Sequence, residues 1–222
     1  RTAAQGTDVR VRNGTIAALG TLTPEPGEAV VDARNAVLYP GWVNTHHHLF
    51  QTVLKNVGAG QGVPLMPWLE AVPYRYGPFI DEEALTVAAT LGMAELLLSG
   101  CTTVADHHYL FGQGVNHDPA AVLFGAAESL GARFVLLRGG ATRTRNFASD
   151  EHPPMPHESL DQMLRSIDET ARRYHQPGGD ERTVLAQRGR CRKRHVFPSG
   201  EAARPMPRKT PDERSSGRSE EH

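Results

Sequence analysis

From Asp8 to Gly20 apolar and polar residues alternate on either side of Asn13-Gly14. A period of two is that of a strand with one face covered, and Asn-Gly suits the tight turn of a hairpin. Two further apolar runs, Ala29–Asp32 and Ala36–Tyr39, predict short strands separated by the turn residues Arg34-Asn35. The first 40 residues therefore read as a small all-β unit. After Pro40-Gly41 the pattern changes to alternating strands and helices. Trp42–Thr45 predicts a strand, and residues 52–80, rich in Gly and Pro, a long loop of the kind that often serves as a lid. Asp81 offers a cap for a helix running to about Ser99, with Glu82-Glu83 in its first turn and Gly100 just past its end. Thr102–Asp106 predicts the next strand. Pro119 then opens a helix over 120–130 that Gly131 closes, followed by a strand over 133–138. A polar, proline-rich loop leads to a helix over about 158–174, and Thr183–Ala186 begins a further strand. Strictly alternating strands and helices imply a parallel sheet with right-handed crossovers. A (β/α)8 barrel or a doubly wound sheet satisfies that order equally.

The chain has 222 residues, a formal net charge of -1 and a pI of about 6.9. Such a balance gives no electrostatic reason to expect nucleic acid or an anionic membrane as partner. Two cysteines, Cys101 and Cys191, make no disulfide framework, and no segment is apolar enough to span a bilayer. The first residue is Arg1, and no signal-peptide pattern follows it. The expectation is a cytoplasmic chain whose start is missing. The averages conceal a shift: residues 182–222 carry 11 of the 24 Lys and Arg, with few apolar residues and no periodicity. This segment reads either as a basic arm for nucleic acid or a partner, or as a disordered or out-of-frame tail. Its inability to bury apolar area favours the second.

The densest chemistry lies in Pro40-Gly-Trp-Val-Asn-Thr-His-His-His-Leu-Phe-Gln51. On an extended strand His46 and His48 point to one face and His47 to the other. The pair can therefore reach one metal ion, and zinc favours neutral imidazole ligands. A histidine-rich surface strand is the alternative on those residues alone. His46, His48, the His107-His108 pair after Asp106, and Arg138 all fall at the C-terminal ends of strands, where a parallel barrel carries its functional groups.

Tyr39-Pro-Gly-Trp-Val-Asn-Thr-His-His-His-Leu-Phe-Gln51, Met66-Pro-Trp-Leu69, Gly100-Cys-Thr-Thr-Val-Ala-Asp-His-His-Tyr-Leu-Phe111 and Arg138-Gly-Gly140 together resemble the amidohydrolase superfamily. The resemblance covers about residues 8–186. It is strongest to the purine and triazine deaminase branch, and within it to 8-oxoguanine deaminases. It implies an α/β fold: the N-terminal half of a (β/α)8 TIM-like barrel over 41–186, preceded by part of a small β-sandwich over 1–40. It implies one divalent metal ion, zinc first, on His46 and His48, and a substrate amide edge read by Gln51. Arg138 is expected to donate to a substrate carbonyl, or else to form a salt bridge on the rim. His107 and His108, which follow a strand end, are expected to line the pocket, or else to be neutral rim histidines without a function. Cys101 reads as a small apolar residue at a helix–strand junction. The implied activity is hydrolytic deamination of an amino-oxo purine such as 8-oxoguanine, with hydrolysis of a triazine as the alternative. The partner is a small molecule, and the intact parent is a candidate homo-oligomer.

That family draws a further metal histidine, an acid–base glutamate, a substrate-side histidine and an aspartate ligand from later strands. Nothing after residue 186 resembles those segments. The reading is therefore of a frameshifted or truncated piece, with 187–222 as its tail. A non-catalytic fragment that holds metal weakly is the competing expectation for this chain taken alone.

Overall fold

The computed structural model describes residues 6–143, 153–175 and 185–186. The expected tail over 187–222 and the first residues of the strand expected from Thr183 lie outside these residues.

Strands β1 (Asp8–Arg12) and β2 (Thr15–Gly20) form the predicted antiparallel hairpin. Asn13 and Gly14 both adopt positive φ, 49° and 72°, as the tight turn requires. The Arg10 Nε atom lies 2.7 Å from Glu28, and Asp8 accepts a hydrogen bond from the Leu22 amide at 2.9 Å, so the turn after the hairpin folds back onto it. The strands expected over 29–32 and 36–39 are not formed among the described residues. Val30, Val31, Val37 and Leu38 stay exposed, and no ladder partner reaches them. Apolar alternation marks a face that pairing would cover, but a strand exists only where a neighbour supplies the hydrogen bonds.

A second sheet is parallel and ordered β3-β4-β5-β6. Its strands are β3 (Trp42–His47), β4 (Cys101–Asp106), β5 (Arg133–Leu136) and β6 (Leu185–Ala186). The order follows the chain without reversal, so these strands contain no switch point of the doubly wound kind. Among the described residues the connections hold five α-helices. The first two, α1 (Leu65–Ala71) and α2 (Pro73–Tyr76), occupy the stretch expected to be loop, together with 3-10 turns over Leu49–Leu54, Gly58–Gly60 and Gly77–Phe79. The prolines do not forbid these helices: Pro64 stands at an N-cap and Pro67 and Pro73 in first turns, where no backbone N–H is needed.

The long helices are encoded locally. In α3 (Glu82–Leu98) the Asp81 carboxylate accepts from the Ala84 amide at 2.8 Å. In α4 (Pro119–Leu130) Asp118 caps Ala120 and Ala121, and Gly131 ends the helix at φ 68°. In α5 (Leu160–Tyr174) Ser159 and Gln162 form a capping box. Each cap satisfies amide groups that the helix start leaves unpaired, a contribution of roughly 1 kcal/mol. Leu85, Ala89 and Met93 of α3 pack with Leu49, Phe50, Val104, Leu123, Phe134 and Leu136 in one buried cluster. Gly92 permits the close approach: a Cβ there would lie 2.6 Å from the Thr52 hydroxyl and 2.9 Å from Leu49 Cδ2. So α3 presses directly on the turn that follows the His-x-His pair. Cys101 is buried and unpaired, as a small apolar residue would be. Among the described residues no helix is long and apolar enough to cross a membrane.

Two ionisable groups enter the core at the end of β4. Asp106 and His108 are fully buried, their Oδ2 and Nδ1 atoms 3.8 Å apart. Burial pushes the Asp106 carboxyl up to about 7 and the His108 imidazole down to about 3. The raised carboxyl contributes stability that is full below its unfolded value and is lost as pH rises towards 7. The depressed imidazole contributes stability that is full above about 6.5 and is lost as pH falls towards 3. Between pH 4.5 and 6.5 the two slopes oppose each other. Asp106→Asn is therefore expected to steepen the loss of stability on acidification, by up to about 1.4 kcal/mol per pH unit. Urea midpoints at the two pH values check this, and a slope equal to wild type would refute it.

Candidate metal centre

β3 ends on Asn44-Thr-His-His, and the chain leaves it through His48 into the turn from Leu49. The Asn44 side chain accepts from the His46 amide at 2.9 Å, which shapes the strand end. His46 and His48 lie on one side, their ring centroids 4.9 Å apart and edge to face. His47 is half-buried on the other side, towards Lys55 and Glu95, which pair with each other. The two-residue period of the sequence is thus realised in the side chains.

The end of β4 holds this strand end in register. The His107 amide donates to the His47 carbonyl at 2.8 Å, and the Leu49 amide donates to Asp106 Oδ1 at 2.7 Å. His48 Nδ1 lies 2.7 Å from the His107 carbonyl oxygen, so that nitrogen carries the proton and Nε2 carries the lone pair. Such a second-ring contact to a backbone carbonyl is how metal-binding imidazoles are generally oriented. Desolvation lowers the pKa of His48, which keeps the ring in the neutral form a metal needs. The donor set fits two positions of a zinc site. Among the described residues no group of three or more His, Cys, Asp or Glu is arranged to hold an ion, so His46 and His48 would supply only part of such a site.

The residues after Asp106 alternate in turn. His107 and Tyr109 face the imidazole pair: His107 is 4.2 Å from the His46 ring and Tyr109 is 5.3 Å from the His48 ring, centroid to centroid. His108 faces the other way. It has no exposed surface and sits edge-on to Phe50 and Phe111 in the core. This corrects the expectation that His108 lines the pocket. The period of two that separates His46 and His48 from His47 also separates His107 and Tyr109 from His108, and applying it here finds the right pair.

Gln51 lies beside these groups, its Nε2 donating to the Tyr109 hydroxyl at 3.3 Å. Burial raises the Tyr109 phenol to about 12, so it stays protonated. Tyr109 was not singled out from the sequence, although it stands two residues from His107. Arg138, two residues past β5, is nearly buried. Its guanidinium forms a two-pronged ion pair with Glu158, bonds the Ser166 hydroxyl at 3.0 Å, and lies 4.0 Å over the Phe111 ring. A salt bridge is the alternative expected for Arg138, and one is formed, buried rather than at an open rim. This pair borders a cavity of about 810 Å³ lined by Gln113, His117, His157 and Tyr174 among others, and none of the His46, His48 and Gln51 group lines it.

Residues 37–187 match the Amidohydrolase family. Over 183 residues the chain is 49% identical to an isoxanthopterin deaminase from an unknown prokaryotic organism, which spans 82% of this chain and 38% of that protein. It is 36% identical over 167 residues to an 8-oxoguanine deaminase of Pseudomonas aeruginosa, spanning 75% of this chain and 36% of the relative. A crystal structure of atrazine chlorohydrolase from Arthrobacter aurescens, complexed with zinc, superposes with a TM-score of 0.57 at 25% identity, over 66% of this chain and 33% of that one. The chain thus spans under two fifths of the length of these two relatives.

Proposed function

Because the chain belongs to the amidohydrolase family, we propose that it carries the His-x-His metal ligands and the ring-reading amide of a metal-dependent hydrolytic deaminase, its parallel strands forming one half of a (β/α)8 wall. The observation that supports this reading best is the arrangement of His46 and His48: rings 4.9 Å apart on one side of β3, with His48 held by Nδ1 so that Nε2 is left for an ion. A divalent ion bound there, zinc first, supplies Lewis acidity and a water acidic enough to attack at neutral pH. The zinc complex of the chlorohydrolase supports that choice of metal.

The substrate class is a fused bicyclic ring that bears an amine beside a lactam. Isoxanthopterin and 8-oxoguanine, the rings in the names of the two relatives, share that edge. Gln51 reads it. With one N–H spent on the Tyr109 hydroxyl, the amide retains a second N–H for a ring carbonyl and an oxygen for a ring N–H. Tyr109 fixes the amide and closes the wall beside His48. Arg138 serves this reading indirectly, since its guanidinium is committed to Glu158.

Binding is the readout suited to this chain, because among the described residues no carboxylate joins His46 and His48 in a metal set. The zinc-loaded chain is expected to bind isoxanthopterin or 8-oxoguanine in a fluorescence or calorimetric titration, with a hydroxytriazine as comparison. Gln51→Ala removes both contacts to the lactam edge, at a cost of roughly 1–3 kcal/mol, or about five- to 150-fold in Kd. Failure of all three rings to bind would overturn the reading. Equal affinity of the Gln51→Ala chain would remove Gln51 from it.

A further inference from the structure

His107 touches four consecutive residues of the metal-binding strand end. Its ring nitrogen Nε2 lies 3.2 Å from the Thr45 carbonyl. Its ring stacks at a tilt of 36° on His46, 4.2 Å between centroids. Its amide donates to the His47 carbonyl at 2.8 Å, and its own carbonyl takes the His48 Nδ1 proton at 2.7 Å. Among the described residues the His46 side chain makes no hydrogen bond, so its orientation is set by packing: the His107 ring on its face, the nearer of the two, and the edge-on His48 ring. His107 is not grouped with His46 and His48 as a set able to hold an ion.

We propose that His107 is a positioning residue that orients both imidazoles of the pair, His48 through its backbone carbonyl and His46 through its ring. The inference rests on the metal-centre reading above for its purpose, though not for its geometry. The division of labour matters chemically. An imidazole binds a metal along the in-plane lone pair of one nitrogen, so two rings serve one ion only when both planes are set. The carbonyl decides which nitrogen of His48 is bare. The ring decides which way His46 faces. Anchoring of the His107 ring to the Thr45 carbonyl makes it a fixed platform.

The two halves separate by mutation. His107→Ala deletes the ring and keeps the carbonyl, whereas His107→Phe keeps a flat ring without a metal-binding nitrogen. In the metal-free 222-residue chain, nitrogen-15 NMR of the histidine rings is expected to show His48 protonated at Nδ1 in all three proteins. The His46 ring signals are expected to move in His107→Ala, as the stacked ring is lost, and to return towards wild type in His107→Phe. Zinc titration is expected to show a fall of about 10- to 100-fold in affinity for His107→Ala, the range for a lost orienting partner, and recovery of most of it in His107→Phe. Thermal unfolding of each variant checks that the fold is kept, and His107→Phe carries the test if the alanine chain does not fold. Unmoved His46 signals and unchanged zinc affinity in His107→Ala would overturn the inference. So would a His107→Phe chain that folds but binds zinc as poorly as the alanine variant, because His107 would then be a ligand. Wild-type protein that takes up no zinc would overturn the metal-centre reading instead, and the NMR comparison would still decide the positioning role.

Discussion

Alanine at His46 or at His48 is expected to abolish zinc retention by this chain, and alanine at His47 to leave it. The structure puts the first two rings together and the third across the strand, beside the Lys55–Glu95 pair. Two imidazoles hold an ion jointly, so removal of either leaves a single ligand, which cannot compete with water at micromolar zinc. A loss of at least a hundredfold is expected for each, larger than for an orienting contact alone. His47→Ala trades a half-buried ring for a small void, and is expected to cost stability at the level of an ordinary substitution, about 1 kcal/mol. Calorimetric titration with zinc and a thermal melt of all three variants measure both quantities. Comparable zinc loss in His47→Ala would show that the strand end does not present its side chains as described.

The largest effect on stability is expected at Glu158. Arg138 is buried, and Glu158 supplies both acceptor oxygens for its guanidinium. In Glu158→Ala the cation keeps the Gly139 carbonyl, the Ser166 hydroxyl and the Phe111 ring face, none of which neutralises it. Removal of one partner of a buried pair costs about 3–5 kcal/mol, chiefly through the charge left behind. Glu158 also stands directly before the Ser159 cap of α5, and its amide donates to the Ala141 carbonyl at 2.9 Å. The pair therefore ties the exit of β5 to the start of α5, and loosening of that helix should accompany the loss. Arg138→Met combined with Glu158→Leu is expected to recover most of the stability, because replacing both charges removes the penalty. Urea denaturation of the single and double variants tests this, and a Glu158→Ala chain within about 1 kcal/mol of wild type would refute it.

What the sequence disclosed was mostly what is decided within a few residues. The Asn13-Gly14 turn, the cap at Asp81 and the stop at Gly131 are local bargains between the chain and its own backbone; the caps at Asp118 and Ser159 are equally local but emerge only in the structure. The His46–His48 pair belongs with them, since strand geometry alone sets it. Features that depend on distant partners were less legible. The segments 29–32 and 36–39 have the pattern of strands but no neighbour among the described residues. The stretch 52–80 was read as loop from its Gly and Pro content, and its prolines sit where helices begin. His107 and Tyr109 reach the pair across 59 and more residues of chain, which no spacing rule encodes. The sequence puts both His107 and His108 at a strand end; the alternation past Asp106 is what separates the half-buried His107 and Tyr109 from the buried His108.

The order of the parallel sheet has a kinetic side. Each strand from β3 to β6 pairs with the one made just before it, and no later strand inserts between two earlier ones. Each intervening long helix carries its own start signal. Such an order lets assembly proceed in the direction of synthesis: β4 can pair with β3 once the chain has emerged past His107, which brings His107 to His48 in the same step. The contacts among His46, His48 and His107 draw on β3 and the end of β4 alone, and need nothing from β5. A chain ending anywhere beyond β4 would therefore still contain every residue that aligns the pair.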